Sequence, residues 1–369
     1  MICELKAPFP WFGGKSRVAG IVWQRFGSVA NLVDPFCGSL AILLGAPADE
    51  GRIETVNDKD GFVANFWRAV AADPEQVAHW ADWLVNENDL HARHIWLVNQ
   101  TADLVSRLEG NPDYYDAKIA GWWVWGICAW IGSGWCSGVG PWQSVDGLMT
   151  NVGSGGVNRQ RPHLGDAGQG VNRKRPHLGN AGQGVNRQLP HLGPPGRGVN
   201  KGGIYDWFES LAARLRRVRV CCGDWTRVLG PSPTTKQGLT AVFLDPPYDQ
   251  DERDDGLYIH EDRVSGAVRE WAIAHGDDPL LRIALCGYEK EHVMPDSWEC
   301  YAWSSHGYNQ SAGQTGRGET NRHRERIWFS PHCLKPQGML ALREVEAPTS
   351  SEGRARWFAE QLKGGTCDL

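Results

Sequence analysis

An apolar run, Ala241-Val242-Phe243-Leu244, stops at Asp245-Pro246-Pro247-Tyr248, and this junction narrows the possible folds of the chain more than any other short segment. A β-branched and aromatic run closed by an acid, two prolines and an aromatic reads as a buried strand ending in a rigid loop. The prolines fix the backbone so that its carbonyls stay aimed, the carboxylate accepts from an amine, and the tyrosine offers a stacking face. Such a loop suits adenine, a flat ring with an exocyclic amine. An ordinary exposed turn of the same composition is the plainer alternative.

A second segment of the same kind lies near the start. Asn31-Leu32-Val33 runs into Asp34-Pro35-Phe36-Cys37-Gly38-Ser39, followed by the apolar Leu40-Ala41-Ile42-Leu43-Leu44, the pattern of strand, glycine-containing loop and helix. The three-glycine fingerprint of dinucleotide sites is absent. One glycine for close backbone approach suits a nucleoside with an amino-acid tail better than a pyrophosphate. About 20 residues on, Thr55-Val56-Asn57-Asp58 ends another strand on an acid, where a carboxylate can clamp two ribose hydroxyls. S-adenosylmethionine fits this pair of loops. The alternative for Asp34 and Asp58 is that each only caps the helix after it.

Five segments in one order carry a family resemblance: Pro8-Phe9-Pro10-Trp11-Phe12-Gly13-Gly14-Lys15, Asp34-Pro35-Phe36-Cys37-Gly38-Ser39, Asn57-Asp58, Cys222-Gly223-Asp224-Trp225 and Asp245-Pro246-Pro247-Tyr248. In this order the chain resembles the Dam-like adenine-specific DNA methyltransferases, some of them phage enzymes, over residues 1 to about 70 and about 204 to 335. The resemblance implies an α/β fold, the Rossmann-like mixed sheet of class I methyltransferases, with an inserted helical and irregular target-recognition region. It implies a catalytic domain of 1–70 and 204–335; outside the matched segments, 71–203 is read as a target-recognition and DNA-binding region and 336–369 as a C-terminal helix and tail. It also implies S-adenosylmethionine as cofactor and double-stranded DNA as partner. Trp11, Phe12 and Lys15 would contact the methionine part, with Lys15 meeting its carboxylate, while Asp34, Phe36 and Gly38 approach the same tail. Asp58 would hold the ribose and Asp224 the cofactor's adenine amine, leaving Asp245, Pro246, Pro247 and Tyr248 as the catalytic loop. Where the family often carries a second glycine, this chain has Ser39-Leu40.

The net charge of −5 looks wrong for a DNA-binding protein until the charge is located. Between residues 156 and 203 eight Lys and Arg face the single acid Asp166, so the remainder is strongly acidic and this tract is a concentrated cationic patch. The tract is also a repeat: Val157-Asn158-Arg159-Gln160-Arg161-Pro162-His163-Leu164-Gly165 recurs from Val171 and again from Val185. A period of about 14 residues is too short for the usual helical repeat modules, and the Pro-His-Leu-Gly units predict turns and extended pieces. In one reading it is a solvated flexible insert. In the other it is a DNA clamp, with Arg159, Arg161, Arg173, Lys174, Arg175 and Arg187 meeting phosphates and base edges. The repeat histidines 163, 177 and 191 lack the cysteines and the packing of a structural zinc site, and no metal is expected.

Before the repeats comes a tryptophan-rich stretch, from Trp122 to Trp142, with glycines and almost no charge. Trp122, Trp125, Ala129 and Trp130 can share a helical face, which predicts a buried helix starting near Tyr114. Trp135, on a glycine-rich loop beyond it, has two readings: a wedge beside an extruded base, or core packing, which is the reading for most of these rings. Helical periodicity over 62–108 predicts helices covering a sheet. A further helix is expected over 267–274 and a buried strand over 281–286. The basic cluster Arg317, Arg322, His323, Arg324 and Arg326 precedes the apolar Ile327-Trp328-Phe329, the pattern of a loop that grips DNA backbone, with Arg322 and Arg324 as contacts, or of a solvated loop. The 10 cysteines are scattered without metal spacing and are read as reduced and mostly buried. With no apolar stretch near the roughly 18 residues of a membrane span, a cytoplasmic enzyme of a bacterial or phage-infected cell is expected.

The chemistry implied is transfer of a methyl group to N6 of an adenine turned out of the duplex, with Asp245 and the Pro246 carbonyl accepting the amine hydrogens and Tyr248 stacking on the ring. Rival readings are methylation of cytosine N4, of RNA adenine or of protein glutamine, and a catalytically silent DNA-binding or masking protein. The DNA site, any restriction partner and the oligomeric state are not legible.

Overall fold

A computed structural model of the chain describes residues 5–11, 13–130, 135–136, 142–145, 148–151, 203–247, 262–303 and 324–335. The described residues up to Leu334 gather into one compact unit. Its centre is a seven-stranded sheet formed by β1 (Asn31–Asp34), β2 (Ile53–Asp58), β5 (Val218–Cys222), β6 (Thr240–Leu244), β7 (Leu281–Tyr288), β8 (Glu299–Ala302) and β9 (Glu325–Phe329). The spatial order is β5-β2-β1-β6-β7-β9-β8. The first five strands are parallel, β9 runs antiparallel to β7, and β8 runs antiparallel to β9. The chain is therefore an α/β protein with a mixed, mostly parallel sheet. Two short strands, β3 (Trp142–Val145) and β4 (Leu148–Asn151), pair separately as an antiparallel hairpin.

Strands buried on both faces read as continuous apolar runs, and alternation then decides which layer each side chain joins. In β6, Ala241 and Phe243 join the larger apolar cluster, whereas Val242 and Leu244 join the smaller one. The larger layer is built by helices α1 (Ala19–Phe26), α3 (Gly61–Ala72), α4 (Pro74–Ala81), α5 (Glu87–Gly110), α6 (Ala117–Ala129) and α7 (Gly203–Leu215). Phe66, Trp67, Trp125 and Phe208 are fully buried there. On the other face α8 (Asp262–His275) sets Val268 and Ala272 against β7. No helix among the described residues is long and apolar enough to cross a membrane.

Buried polar ties hold the inserted helices to the sheet. Arg68 on α3 donates to the carbonyl of Val220 on β5 and to those of Leu108 and Asn111 at the end of α5. Asn65 and Asp116 exchange hydrogen bonds of 2.9 and 2.7 Å, which seats the start of α6 on α3. Arg214 on α7 and Arg52 both grip Glu54 on β2. Each tie meets a buried backbone or carboxylate group that would otherwise cost free energy.

The expected helix near Tyr114 begins at Ala117, with Asp116 as its N-cap. Its buried face differs from the one expected. Trp123 and Trp125 are buried while Trp122 is half-buried, because α6 packs against α3, α4 and α5 and has no single core face. The helix expected over 267–274 and the strand over 281–286 are α8 and β7, each longer by a few residues. Five of the eight described cysteines are buried. The repeat tract, including Arg159, Arg161, Arg173, Lys174, Arg175 and Arg187, lies outside the described residues, as do Phe12, Tyr248, Arg322 and the tail from residue 336.

Candidate active site

In an open parallel sheet, ligands bind beyond the carboxyl ends of the strands where the order reverses. Here that point lies between β1 and β6, since the chain passes from β1 outward to β2 and β5 and then returns to β6 on the other side. A small, partly open pocket sits there, and its walls include Trp11, Lys15, Asp34, Phe36, Gly38 and Asp245. Three of the five sequence segments thus meet in one cavity.

The other two segments stand beside it. Asn57, fully buried at the end of β2, donates to the carbonyl of Pro35 at 3.1 Å and to that of Gly223 at 3.0 Å. One amide therefore ties the ends of β1, β2 and β5 together. The sequence pattern quotes Asn57 without giving it a role, because a side chain that positions loops carries no chemical signature. Asp224, exposed, accepts from the N–H and hydroxyl of Thr226 and caps the 3-10 turn Trp225–Val228. The Thr226 hydroxyl holds its carboxyl below the usual range. Trp225 lies over Phe36 with ring centroids 6.3 Å apart and planes inclined by 27°.

The loop after β1 is shaped for close approach. Gly38 has φ +42°, and a Cβ at that position would run into the Trp11 indole. Its carbonyl accepts from Trp67 Nε1 at 2.8 Å and its N–H donates to Asp58 at 2.9 Å. Leu40, where a second glycine was expected, adopts φ 55° and ψ 27° while completely buried. An L-residue takes this left-handed conformation only when the surroundings compensate.

Neither Asp34 nor Asp58 caps a helix. Asp60 caps α3 by accepting from Phe62 N–H at 2.8 Å, and Leu40 precedes α2 (Ala41–Leu44) without a side-chain bond. Asp58 instead accepts from Gly38 and Asp60, each at 2.9 Å. Although part of the residue meets solvent, burial of its carboxyl raises the pKa to about 7, with the charge of Asp60 adding and the backbone N–H groups of Asp60, Gly38 and Lys59 opposing. Burial pushes Asp34 well above the carboxylate range, Asp245 adds to this, and the N–H of Phe36 opposes it. The Cys37 thiol is raised by burial and by Asp58 and Asp34, so it stays protonated and is a poor nucleophile.

Lys15 is the one cation among the pocket's described walls. Its ammonium lies 2.9 Å from Asp245 and 4.0 Å from Glu325, and donates to the carbonyl of Gly13 at 2.7 Å. Burial disfavours the charged form, but the two carboxylates more than offset this and hold the pKa above the ordinary lysine value. Glu325, at the start of β9, was not singled out in the sequence. An acid inside a basic loop gives no hint that strand reversal will bring it opposite β7 and within 4.0 Å of Lys15.

Pro246 is buried and Pro247 exposed at the mouth of the loop. Exposed Arg324 lies over the ring of Tyr288 at 5.4 Å, on the same sheet edge as the pocket. Trp135 takes the core alternative. Its ring fills the groove over Gly126, packs against His94 and Trp130, and its Nε1 donates to the Trp123 carbonyl at 3.0 Å. Compared with protein-family models and with curated sequences, the chain matches none. Fold and site define an α/β protein with an acidic pocket at its topological switch point.

Proposed function

We propose that this chain is an S-adenosylmethionine-dependent methyltransferase acting on the exocyclic N6 amine of adenine in DNA. The observation that carries the reading is the convergence of Asp245 with the Gly38 loop, Asp34 and Lys15 in one cavity at the switch point. The order of strands, with antiparallel β9 inserted beside β7, agrees with the mixed methyltransferase sheet that the resemblance implies.

The residues present suit the donor. Gly38, lacking a Cβ, lets the Trp11 indole close onto the loop at the pocket wall, Asp34 and Asp58 offer acceptors to an ammonium and to ribose hydroxyls, and Lys15 offers a cation to a carboxylate. Trp225 and Phe36 supply aromatic surface beside Asp224, the acid assigned to the donor's adenine amine. When bound, S-adenosylmethionine supplies a methyl group on a positively charged sulfur.

The chain's own residues then do the rest. Asp245 and the Pro246 carbonyl accept the two amine hydrogens of an extruded adenine, which localises the nitrogen lone pair and orients it. Asp245 also offsets the positive charge that develops on that nitrogen. Tyr248 stacks on the ring, and the base leaves the duplex because N6 is out of reach of a protein pocket while it is stacked and paired.

The test is to incubate unmethylated duplex DNA with the protein and labelled donor, then identify modified nucleosides by mass spectrometry. N6-methyladenine from the wild-type protein, and none from Asp245→Ala that still binds donor and DNA, supports the reading. Methylcytosine, or label only in RNA, would move the substrate; donor binding without any transfer would leave a silent DNA-binding protein.

A further inference from the structure

Asp245 has a competitor for the role just given to it. Its carboxylate is already engaged by the Lys15 ammonium at 2.9 Å, inside a site where Lys15 is almost completely buried. A carboxylate that shares its charge with a bonded ammonium is a weaker acceptor, and it compensates a developing positive charge poorly. Lys15 cannot simply leave: even with the donor's carboxylate in reach, a buried ammonium that gave up Asp245 would lose its nearest anionic partner in the fold, which is disfavoured.

Glu325 resolves this conflict. It is buried, and its Oε2 stands 4.0 Å from the same ammonium. The difference between the two separations is about 1 Å, within the reach of small torsional adjustments of a lysine side chain. Glu325 is also well anchored. Its residue pairs with Tyr288 across β7 and β9, and its carbonyl accepts from the N–H of Trp303, whose ring lies 5.9 Å from the Lys15 ammonium.

We propose that Glu325 is a positioning residue that takes over Lys15 when the target amine engages Asp245, so that Lys15 alternates between two carboxylates. Glu325 thereby frees Asp245 without touching the substrate. The inference rests on the methyltransferase reading and adds to it the way the acceptor carboxylate becomes available.

The experiment is a double-mutant cycle in the full chain, read as single-turnover methyl transfer at saturating donor and DNA, with donor binding measured alongside. Glu325→Gln should slow transfer about tenfold or more while donor affinity stays within about threefold, and Glu325→Asp should recover part of the rate. Because Glu325 acts through Lys15, the double variant of Lys15→Met with Glu325→Gln should be no slower than Lys15→Met alone. A wild-type rate in Glu325→Gln, or effects that multiply in the double variant, would overturn the proposal. Should Glu325→Gln fail to fold, as judged by thermal melting, Glu325→Asp carries the same cycle with a smaller slowing. A wild-type protein that transfers nothing removes the function itself and the inference with it; a wild-type protein that transfers normally beside an unaffected Glu325→Gln removes the inference alone.

Discussion

The N–H of Gly38 donates to the carboxylate of Asp58 at 2.9 Å, which joins the loop after β1 to the end of β2. The same carboxyl has its pKa raised to about 7, chiefly by burial. In the unfolded chain it would titrate near 3.9, so between these values the folded protein binds more protons than the unfolded one. Stability from this group is therefore greatest at low pH and is lost as pH rises through about 7, with a slope of at most about 1.4 kcal/mol per pH unit. Urea unfolding of donor-free protein between pH 5 and 8 should show the decline, and Asp58→Asn should flatten it. A wild-type curve rising over that interval, with no change in Asp58→Asn, would refute the assignment.

Gly38→Ala tests the cradle. The new Cβ would press on the Trp11 indole from a position with φ +42°, so the loop or the indole must shift. Donor affinity is expected to fall at least about tenfold, with a stability cost of about 1–2 kcal/mol. Calorimetric titration with S-adenosylmethionine and a thermal melt separate the two effects. Unchanged affinity in a folded Gly38→Ala protein would show that the donor does not approach this loop.

Part of the sheet was readable because buried parallel strands are short apolar runs: β1, β2 and β6 end at or just before Asp34, Asp58 and Asp245, whereas β5, mostly half-buried and carrying Arg219, gave no such run. The pocket acids were readable for the same reason, since strand ends become a site only at the switch point. Ties made across the fold were not. Asn57 reaches Gly223, Arg68 reaches Val220 and Glu325 reaches Lys15 over long stretches of chain, and no local periodicity encodes such partners. The tryptophan face was misjudged at Trp122 because periodicity assumes one buried side, whereas α6 has neighbours on several.

Leu40 is the sharpest departure from the glycine expected there. Its left-handed backbone costs about 1–2 kcal/mol, which glycine would relieve. Its side chain is fully buried, and loss of a buried leucine costs about 2–5 kcal/mol. At the midpoints of these ranges packing wins, so Leu40→Gly should lower stability by about 2 kcal/mol in urea unfolding. Equal or greater stability would mean that backbone strain outweighs the buried side chain.

The cationic repeats give a prediction that depends on charge alone. If Arg159, Arg161, Arg173, Lys174, Arg175 and Arg187 contact phosphates, each contact releases condensed counterions and adds about 0.9 to the slope of log affinity against log salt on duplex DNA. Replacing all six by serine keeps the chain length and removes these contacts, so the slope should become shallower by up to about five. If the donor occupies the pocket lined by Trp11, Lys15, Asp34, Gly38 and Asp245, its binding should be unchanged. Fluorescence anisotropy with a labelled duplex between 50 and 200 mM salt measures the slope. If six neutralised charges left it where it was, the tract would be a solvated insert, and the DNA contacts would have to come from basic residues elsewhere, such as exposed Arg324 beside the pocket.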